Sequence, residues 1–532
     1  MTACPPNQQL PAKAITGISV QAIVMLLLAL TIGLILRLQD LGSVSMDFDE
    51  CCSWRTSQLP WTEMFDAISR DAHPPLYYIV LKALTEIMGD HDLVLRGFSV
   101  VMGLATAVGA GVLAHQMLAS ESGESLLMDS RRETAMVLAV AFVSLNGLHI
   151  EMSQTARPYT LGTLLAVLAA VFLLRSLRSN SRLTDWLGLS ICWLCLSITH
   201  YYGLLTVASL MGYAIASIGL GLIRSSTRTA SRAQGTYLLI AVFVMSEFWL
   251  PWHSTFRFQL GRTTHQLWMA PLDWQTFIET SFRALGAGYT EDIAPHWMWI
   301  GVAIWILIPL SLLLTRTDRS GLVACAAIGP LLAVVGYGLA VRNILGVKYL
   351  IFGQLFLLIA LALLIAQIPI RSLRLLTVMT VIAGLSLSAN QYLAHRELLA
   401  ECGGVRRAVT YLEEHRAPDE QVVVGSPFVY TIVVKYAAQP DMICTRNWGD
   451  HRDNILSGPA LQDDDYRGVE DRLSAGPDRV WTIDAFAMFS PTSRFEGLAN
   501  MPGWEFESQE EFRERNGIPC VLAVRSYRRS TN

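Results

Sequence analysis

The sequence predicts a polytopic α-helical membrane protein of about eleven transmembrane helices, followed by a small soluble α/β domain. Three observations carry this expectation. Of 532 residues, 52% are hydrophobic and only 16% are charged, a balance typical of chains with repeated spans. Apolar runs long enough for a helix across a hydrocarbon core of about 30 Å recur to residue 393, and from Ala394 charge, Gly, Pro and Asp rise and no run can span. The chain therefore divides into a transmembrane part, 1–393, and an extracytoplasmic part, 394–532. A formal charge of −4 gives no reason to expect nucleic acid as a partner.

The first run, about Ile15 to Leu36, is too long for the apolar region of a secretory signal and has no A-x-A-like cleavage site after it. It is read as a retained, anchoring span. Further runs fall near 94–118, 134–150, 158–174, 186–200, 202–223, 236–252, 297–315, 321–341, 348–367 and 375–393. With the N-terminus cytoplasmic, the short turns carrying Arg131 and Arg132, Arg175, Arg178 and Arg182, Arg224, Arg228 and Arg232, Arg316 and Arg319, and Arg371 and Arg374 all face the cytoplasm. The positive-inside rule then places the loop from Met46 to Tyr78, the loop from His253 to His296 and everything after 394 on the other side. In the last part VRRAVTYLEEH reads as an amphipathic helix, and QVVVGS, RVWTIDAF and PCVLAVRSY read as strands. The nine cysteines lack the spacing of a zinc site or disulfide framework. Cys192 and Cys195, a CxxC inside an apolar run, are read as core thiols.

Candidate chemistry gathers on one predicted face. Asp49 and Glu50 follow closely after the first span; such carboxylates can deprotonate a hydroxyl or hold a cation, or can simply be a solvated pair. Asp71 and His73 precede a double proline in RDAHPPLYY. The prolines stop a helix and extend the chain, so the two side chains can share a cavity, while Leu76, Tyr77 and Tyr78 begin a segment suited to the membrane interface. In HIEMSQTARPYTL, His149, Glu151 and Arg157 stand at membrane-surface depth, where ionisable groups are costly unless paired or used. Arg157 can grip a phosphate with its planar fork, or snorkel beside Tyr159. Arg342 and Lys348 flank a further outer turn, placed to attract a lipid phosphate or to anchor the interface. His200-Tyr201-Tyr202 reads as part of an aromatic belt. No Walker loop, GxGxxG after a strand or HExxH is present.

The series DE, D-x-HPPLYY, Leu95-Arg96 and Q-x-ARPY-x-L from Gln154 to Leu161 resembles the bacterial membrane glycosyltransferases of the GT-C class. Within that class it looks like the protein mannosyltransferase and aminoarabinose transferase relatives. The resemblance covers about residues 15–393 and is specific in the first 160. It implies an inverting transfer of a monosaccharide from a polyprenyl-phosphate donor to a cell-envelope glycan, lipid or protein on the outer face of the bacterial inner membrane. It further implies Asp49 as base, with Glu50 beside it, and Arg157 on the donor phosphate. Lys348-Tyr349 stands where relatives carry Arg-Tyr, and Asp71, His73, Arg96 and Tyr159 join them as substrate-binding candidates. No cofactor is assigned, but some relatives bind a divalent ion near the first loop, for which Glu50, Asp71, His73 and Glu151 are the candidates. The competing readings are a transporter or lipid flippase, since many spans with charges at their edges also suit a transport path, and a sensor whose outer domain binds a ligand.

Overall fold

The computed structural model describes residues 18–119, 126–266, 269, 271–286, 295–315, 319–445, 461–462, 465, 478–486, 503–516 and 519–530. Cys4, Arg316 and part of the His253 to His296 loop, all used in the sequence reading, lie outside the described residues. The helices are α1 Val20–Leu38, α2 Phe48–Gln58, α3 Trp61–Arg70, α4 Leu76–Met88, α5 Asp92–Met117, α6 Leu126–Leu145, α7 Gly147–Ser153, α8 Tyr159–Ser176 and α9 Leu183–Ser197. There follow α10 Tyr201–Ile223, α11 Arg228–Gln266, α12 Trp274–Arg283, α13 Pro295–Leu314, α14 Ser320–Ala340, α15 Ile351–Ala366, α16 Arg371–Cys402 and α17 Gly404–His415. Strand β1 Gln421–Val424, helix α18 Pro427–Tyr436 and strands β2 Ile443–Thr445, β3 Arg479–Phe486, β4 Trp504–Glu514 and β5 Cys520–Arg529 complete the chain.

Every predicted apolar run falls on a helix, as expected of a polytopic helical membrane protein. Among the described residues nine helices are long and apolar enough to cross a bilayer, and α6 with α7, bent by 61°, makes a tenth. The bend sits at Asn146, whose side chain caps α7 through the His149 N–H and donates to the Leu285 carbonyl. The remaining run, α9, has only 15 residues, short of the roughly 20 that a bilayer requires. The chain is an integral membrane protein. Its central helix is α15, 83% buried over its apolar window where α11 and α16 are 11% buried, so the Lys348-Tyr349 pair just before α15 stands over the middle of the bundle. At the opposite end Arg319 donates to the Leu174 and Leu177 carbonyls and Arg178 to that of Gln116. There the arginines donate to carbonyls at the ends of helices α5 and α8, where basic side chains are favourable.

Helices α2, α3 and α4 form the first loop. Asp47-x-x-Glu50 closes α2 with a reciprocal cap: the Asp47 carboxylate accepts from the Glu50 N–H and the Glu50 carboxylate from the Asp47 N–H. Helix α3 buries Met64, Ala67 and Ile68 and exposes Trp61 and Phe65, the pattern of a helix lying along a membrane surface.

Helix α16 runs through residue 394 to Cys402, and the chain turns at Gly403 and Gly404, with φ of 65° and 46°. Only glycine fits at Gly404, where a Cβ would stand 2.0 Å from Glu514 Oε2. The five strands then form one sheet in the order β2-β1-β3-β5-β4, with β1 parallel to β2 and β3 and the remaining pairs antiparallel. Helix α18 and strand β4 have no counterpart in the sequence reading. PFVYTIVVKY is rich in β-branched residues, yet it is helical and buried nearly throughout, and β4 carries five exposed acidic or basic side chains along the sheet edge.

The sheet unit packs directly on the first loop. Tyr436 Oη accepts from the Met46 N–H at 2.8 Å and donates to Asp92 at 2.7 Å, Arg406 donates to Asp92 at 2.6 Å, and Phe48 meets Phe428. Cys51 fills the shared apolar core, which accounts for one of the two cysteines after the acidic pair. Tyr436→Phe removes the acceptor for a buried N–H, so thermal unfolding in detergent is expected to show a loss of about 1–3 kcal/mol. An unchanged melting point would mean that the loop is held elsewhere.

Candidate active site

The site is assembled from the α2 N-terminus, the turn before α4, the α7–α8 link, the α9–α10 turn and the turn before α15. Asp49 Oδ2 receives the Lys348 ammonium at 2.8 Å across 299 residues of chain. The two side chains are 39% and 35% exposed, so they form the accessible edge of a recess whose deeper wall is protein. Burial by itself would raise the Asp49 carboxyl. The Lys348 ammonium and Arg157 guanidinium outweigh it and hold that carboxyl well below the usual carboxylate range. Asp49 is therefore ionised at neutral pH, whereas burial and the neighbouring Glu50 and Asp49 carboxylates push Asp47 up to about 7.

Arg157 lies behind the pair. It donates to the Asp49 carbonyl at 3.0 Å, to Ser53 Oγ at 2.8 Å and to His73 Nε2 at 3.1 Å. A guanidinium can only donate, so His73 Nε2 accepts and the His73 proton sits on Nδ1, which faces Asp71 Oδ2 at 3.4 Å. Tyr78 donates to the same Asp71 oxygen at 2.5 Å. Asp71 and His73 stand side by side, and beyond the double proline the Leu76 N–H bonds to the Ile198 carbonyl.

Glu50 and Arg96, expected to work on substrate, are placed otherwise. Arg96 directs Nε and Nη2 to the two Glu50 oxygens at 2.8 and 2.7 Å and its other N–H groups to the carbonyls of Leu41, Val44 and Ser45. All five guanidinium donors are used. Glu50 also accepts from the Ala156 and Asp47 N–H groups, which fills its lone pairs. Neither group has capacity left for a substrate. Together they lock α2 to α5 and to the link that carries Arg157, and so position Asp49 from behind. The D-x-x-E spacing, a capping signature, was the available sign that Glu50 faces the backbone.

Of the four candidates for holding an ion, Glu50, Asp71, His73 and Glu151, only Asp71 and His73 are brought together, 3.4 Å apart. Glu50 is saturated, His73 Nε2 is occupied by Arg157, and Glu151 lies toward Tyr392 on α16. Among the described residues no three His, Cys, Asp or Glu side chains form a group that could hold a metal ion.

The structure adds one residue that the sequence reading placed in an aromatic belt. His200 packs against His73, Tyr159, Tyr202, Tyr349 and Phe352, with ring centroids 5.2 to 5.9 Å away. Tyr349 stacks on Tyr202 at 4.3 Å. Lys348 Nζ lies 5.8 Å from the Tyr349 ring centroid, so the charges of Asp49, Lys348 and Arg157 adjoin the aromatic cluster of Tyr159, His200, Tyr202 and Tyr349.

No protein-family model matches the chain, and no curated protein matches it. Among solved structures, it is similar to ArnT from Cupriavidus metallidurans in the apo state, with 12% identity, 94% of this chain and 98% of that chain covered, and a TM-score of 0.55. It is likewise similar to the same protein bound to undecaprenyl phosphate, at 13% identity with the same coverage and a TM-score of 0.53. At such identity the likeness concerns the fold, and the fold is of the GT-C class.

Proposed function

We propose that this GT-C-fold membrane protein transfers a monosaccharide from a polyprenyl-phosphate carrier to an acceptor hydroxyl at the extracytoplasmic surface of the bacterial inner membrane. The sheet unit then serves as an extracytoplasmic domain, consistent with the arginine-rich turns at the other end of the bundle. The observation that carries this reading is the Asp49–Lys348 pair at an accessible edge, backed by Arg157. It joins a carboxylate able to take a proton with a cation able to take a phosphate. That a protein of the same fold binds undecaprenyl phosphate supports the choice of carrier.

In the resting pair each charge neutralises the other. A donor phosphate entering the recess competes for Lys348, with Arg157 adding positive potential from behind. As Lys348 turns to the phosphate, Asp49 loses its main counter-charge and its basicity rises in a desolvated setting. The acceptor oxygen then attacks the anomeric carbon while its proton passes to Asp49. The bond from the anomeric carbon to the phosphate oxygen breaks, and polyprenyl phosphate leaves as an anion stabilised by Lys348. Because phosphate departs readily once neutralised, positioning and charge stabilisation supply most of the catalysis.

Purified protein in lipid vesicles, given undecaprenyl-phosphoryl sugars and a cell-envelope extract, is expected to release undecaprenyl phosphate and label the extract. Mass spectrometry of envelope glycans with and without the protein identifies the sugar. Movement of lipid across the vesicle with no new glycosidic bond would instead establish a flippase.

Lys348→Met is expected to weaken donor use by about 10–100-fold in kcat/KM, the scale of a charge-assisted contact. It also removes the principal group that depresses Asp49, so the acid limb of the pH–rate profile moves to higher pH. Loss of rate with an unmoved acid limb would show that the pair does not govern Asp49.

A further inference from the structure

We infer that His200 and Tyr159 form a neutral hydrogen-bonding station that binds an oxygen on the ring of the transferred sugar. The inference rests on the donor assigned above and adds the part of that donor which the charged groups do not reach.

His200 is 2% exposed and caps α10: its Nδ1 accepts the Tyr202 N–H at 3.1 Å. A nitrogen that accepts carries no proton, and burial, helped by His73, Arg157 and Lys348, holds His200 well below the usual imidazole range. The ring is neutral, so its single proton sits on Nε2. That Nε2 is buried and has no protein partner. Tyr159, 1% exposed and 5.2 Å away between ring centroids, likewise buries a hydroxyl with no partner.

Two unpaired buried polar atoms on neighbouring rings each cost roughly 1–3 kcal/mol if left unmatched, and native structures rarely leave such groups without a purpose. Their surroundings indicate which ligand matches them. Lys348 and Arg157 are the cations beside Asp49 and suit the phosphate. His200 and Tyr159 stand among Tyr202, Tyr349 and Phe352, where flat apolar faces and a few fixed polar atoms suit an uncharged, hydroxyl-bearing ring. The His200 N–H can only donate, and the Tyr159 hydroxyl can donate or accept, so the pair reads one sugar hydroxyl or two neighbouring ones.

The test measures binding to purified protein of undecaprenyl phosphate alone and of undecaprenyl-phosphoryl glucose, galactose, mannose and arabinose. His200→Asn keeps an acceptor for the Tyr202 N–H and withdraws the Nε2 donor, and Tyr159→Phe keeps the ring and removes the hydroxyl. Each is expected to lower affinity for the sugar-bearing lipid preferred by the wild type by about tenfold, the loss of one hydrogen bond. Affinity for undecaprenyl phosphate alone stays within about twofold. The Tyr159 variant decides the matter if the His200 variant does not fold. Parallel loss for both ligands would overturn the inference by making these residues phosphate ligands or structural supports, as would a wild type that gains nothing from any sugar. A wild type that binds no undecaprenyl phosphate would instead remove the proposed donor itself.

Discussion

Asp49→Asn is expected to lower sugar transfer by about 10²–10⁴-fold, the range for loss of a positioned general base, while leaving the protein folded. Asparagine has the shape of aspartate but cannot take the acceptor's proton, and it no longer holds Lys348. The exposure of the pair explains why stability is spared. With 39% and 35% of the two side chains open to solvent, the ion pair is worth no more than about 1 kcal/mol to folding. Transfer by the purified variant, set beside its melting temperature, checks both halves. Parental activity would remove Asp49 from the reaction, and a collapse of stability would make it a structural residue.

The second large effect lies in the same loop with the opposite outcome. Arg96→Met is expected to destabilise the protein by about 3–5 kcal/mol, because breaking a fully buried pair strands the remaining charge. Arg96 and Glu50 are 0% and 2% exposed, and Glu50 would keep only two backbone N–H groups. Such a loss is a large share of the stability of a typical domain, about 5–15 kcal/mol. Combining Arg96→Met with Glu50→Gln should recover part of it, since no charge is then stranded, and the double-mutant cycle measures the coupling. Additive losses with full transfer activity per folded molecule would mean that the pair does not hold α2.

These two ion pairs also mark how far a linear reading reaches. The DE, HPPLYY and ARPY segments were each legible, and so was their gathering at one end of the bundle. Their division of labour was not. Asp49 and Glu50 are adjacent, so a helix turns their side chains about 100° apart, one to the recess and the other to Arg96. Which acid faced which partner depended on residues 46 and 299 positions away. The ring cluster around His200 was illegible for the same reason, because its neighbours Tyr159, Tyr349 and Phe352 come from other segments. In the sheet unit α18 went unseen because β-branched residues favour strands until packing on all sides overrides them.

The sequence by itself determined the membrane architecture and the residues from which the site is drawn. Hydropathy is a local quantity that a window of 20 residues measures, and short motifs carry their side chains with them. The tertiary structure alone decided which charge is exposed and paired for chemistry, which is buried and paired for strength, and which polar atoms are left unmatched. Those are properties of contacts between distant segments, where distance and desolvation set the energy of a charge far more than its identity does.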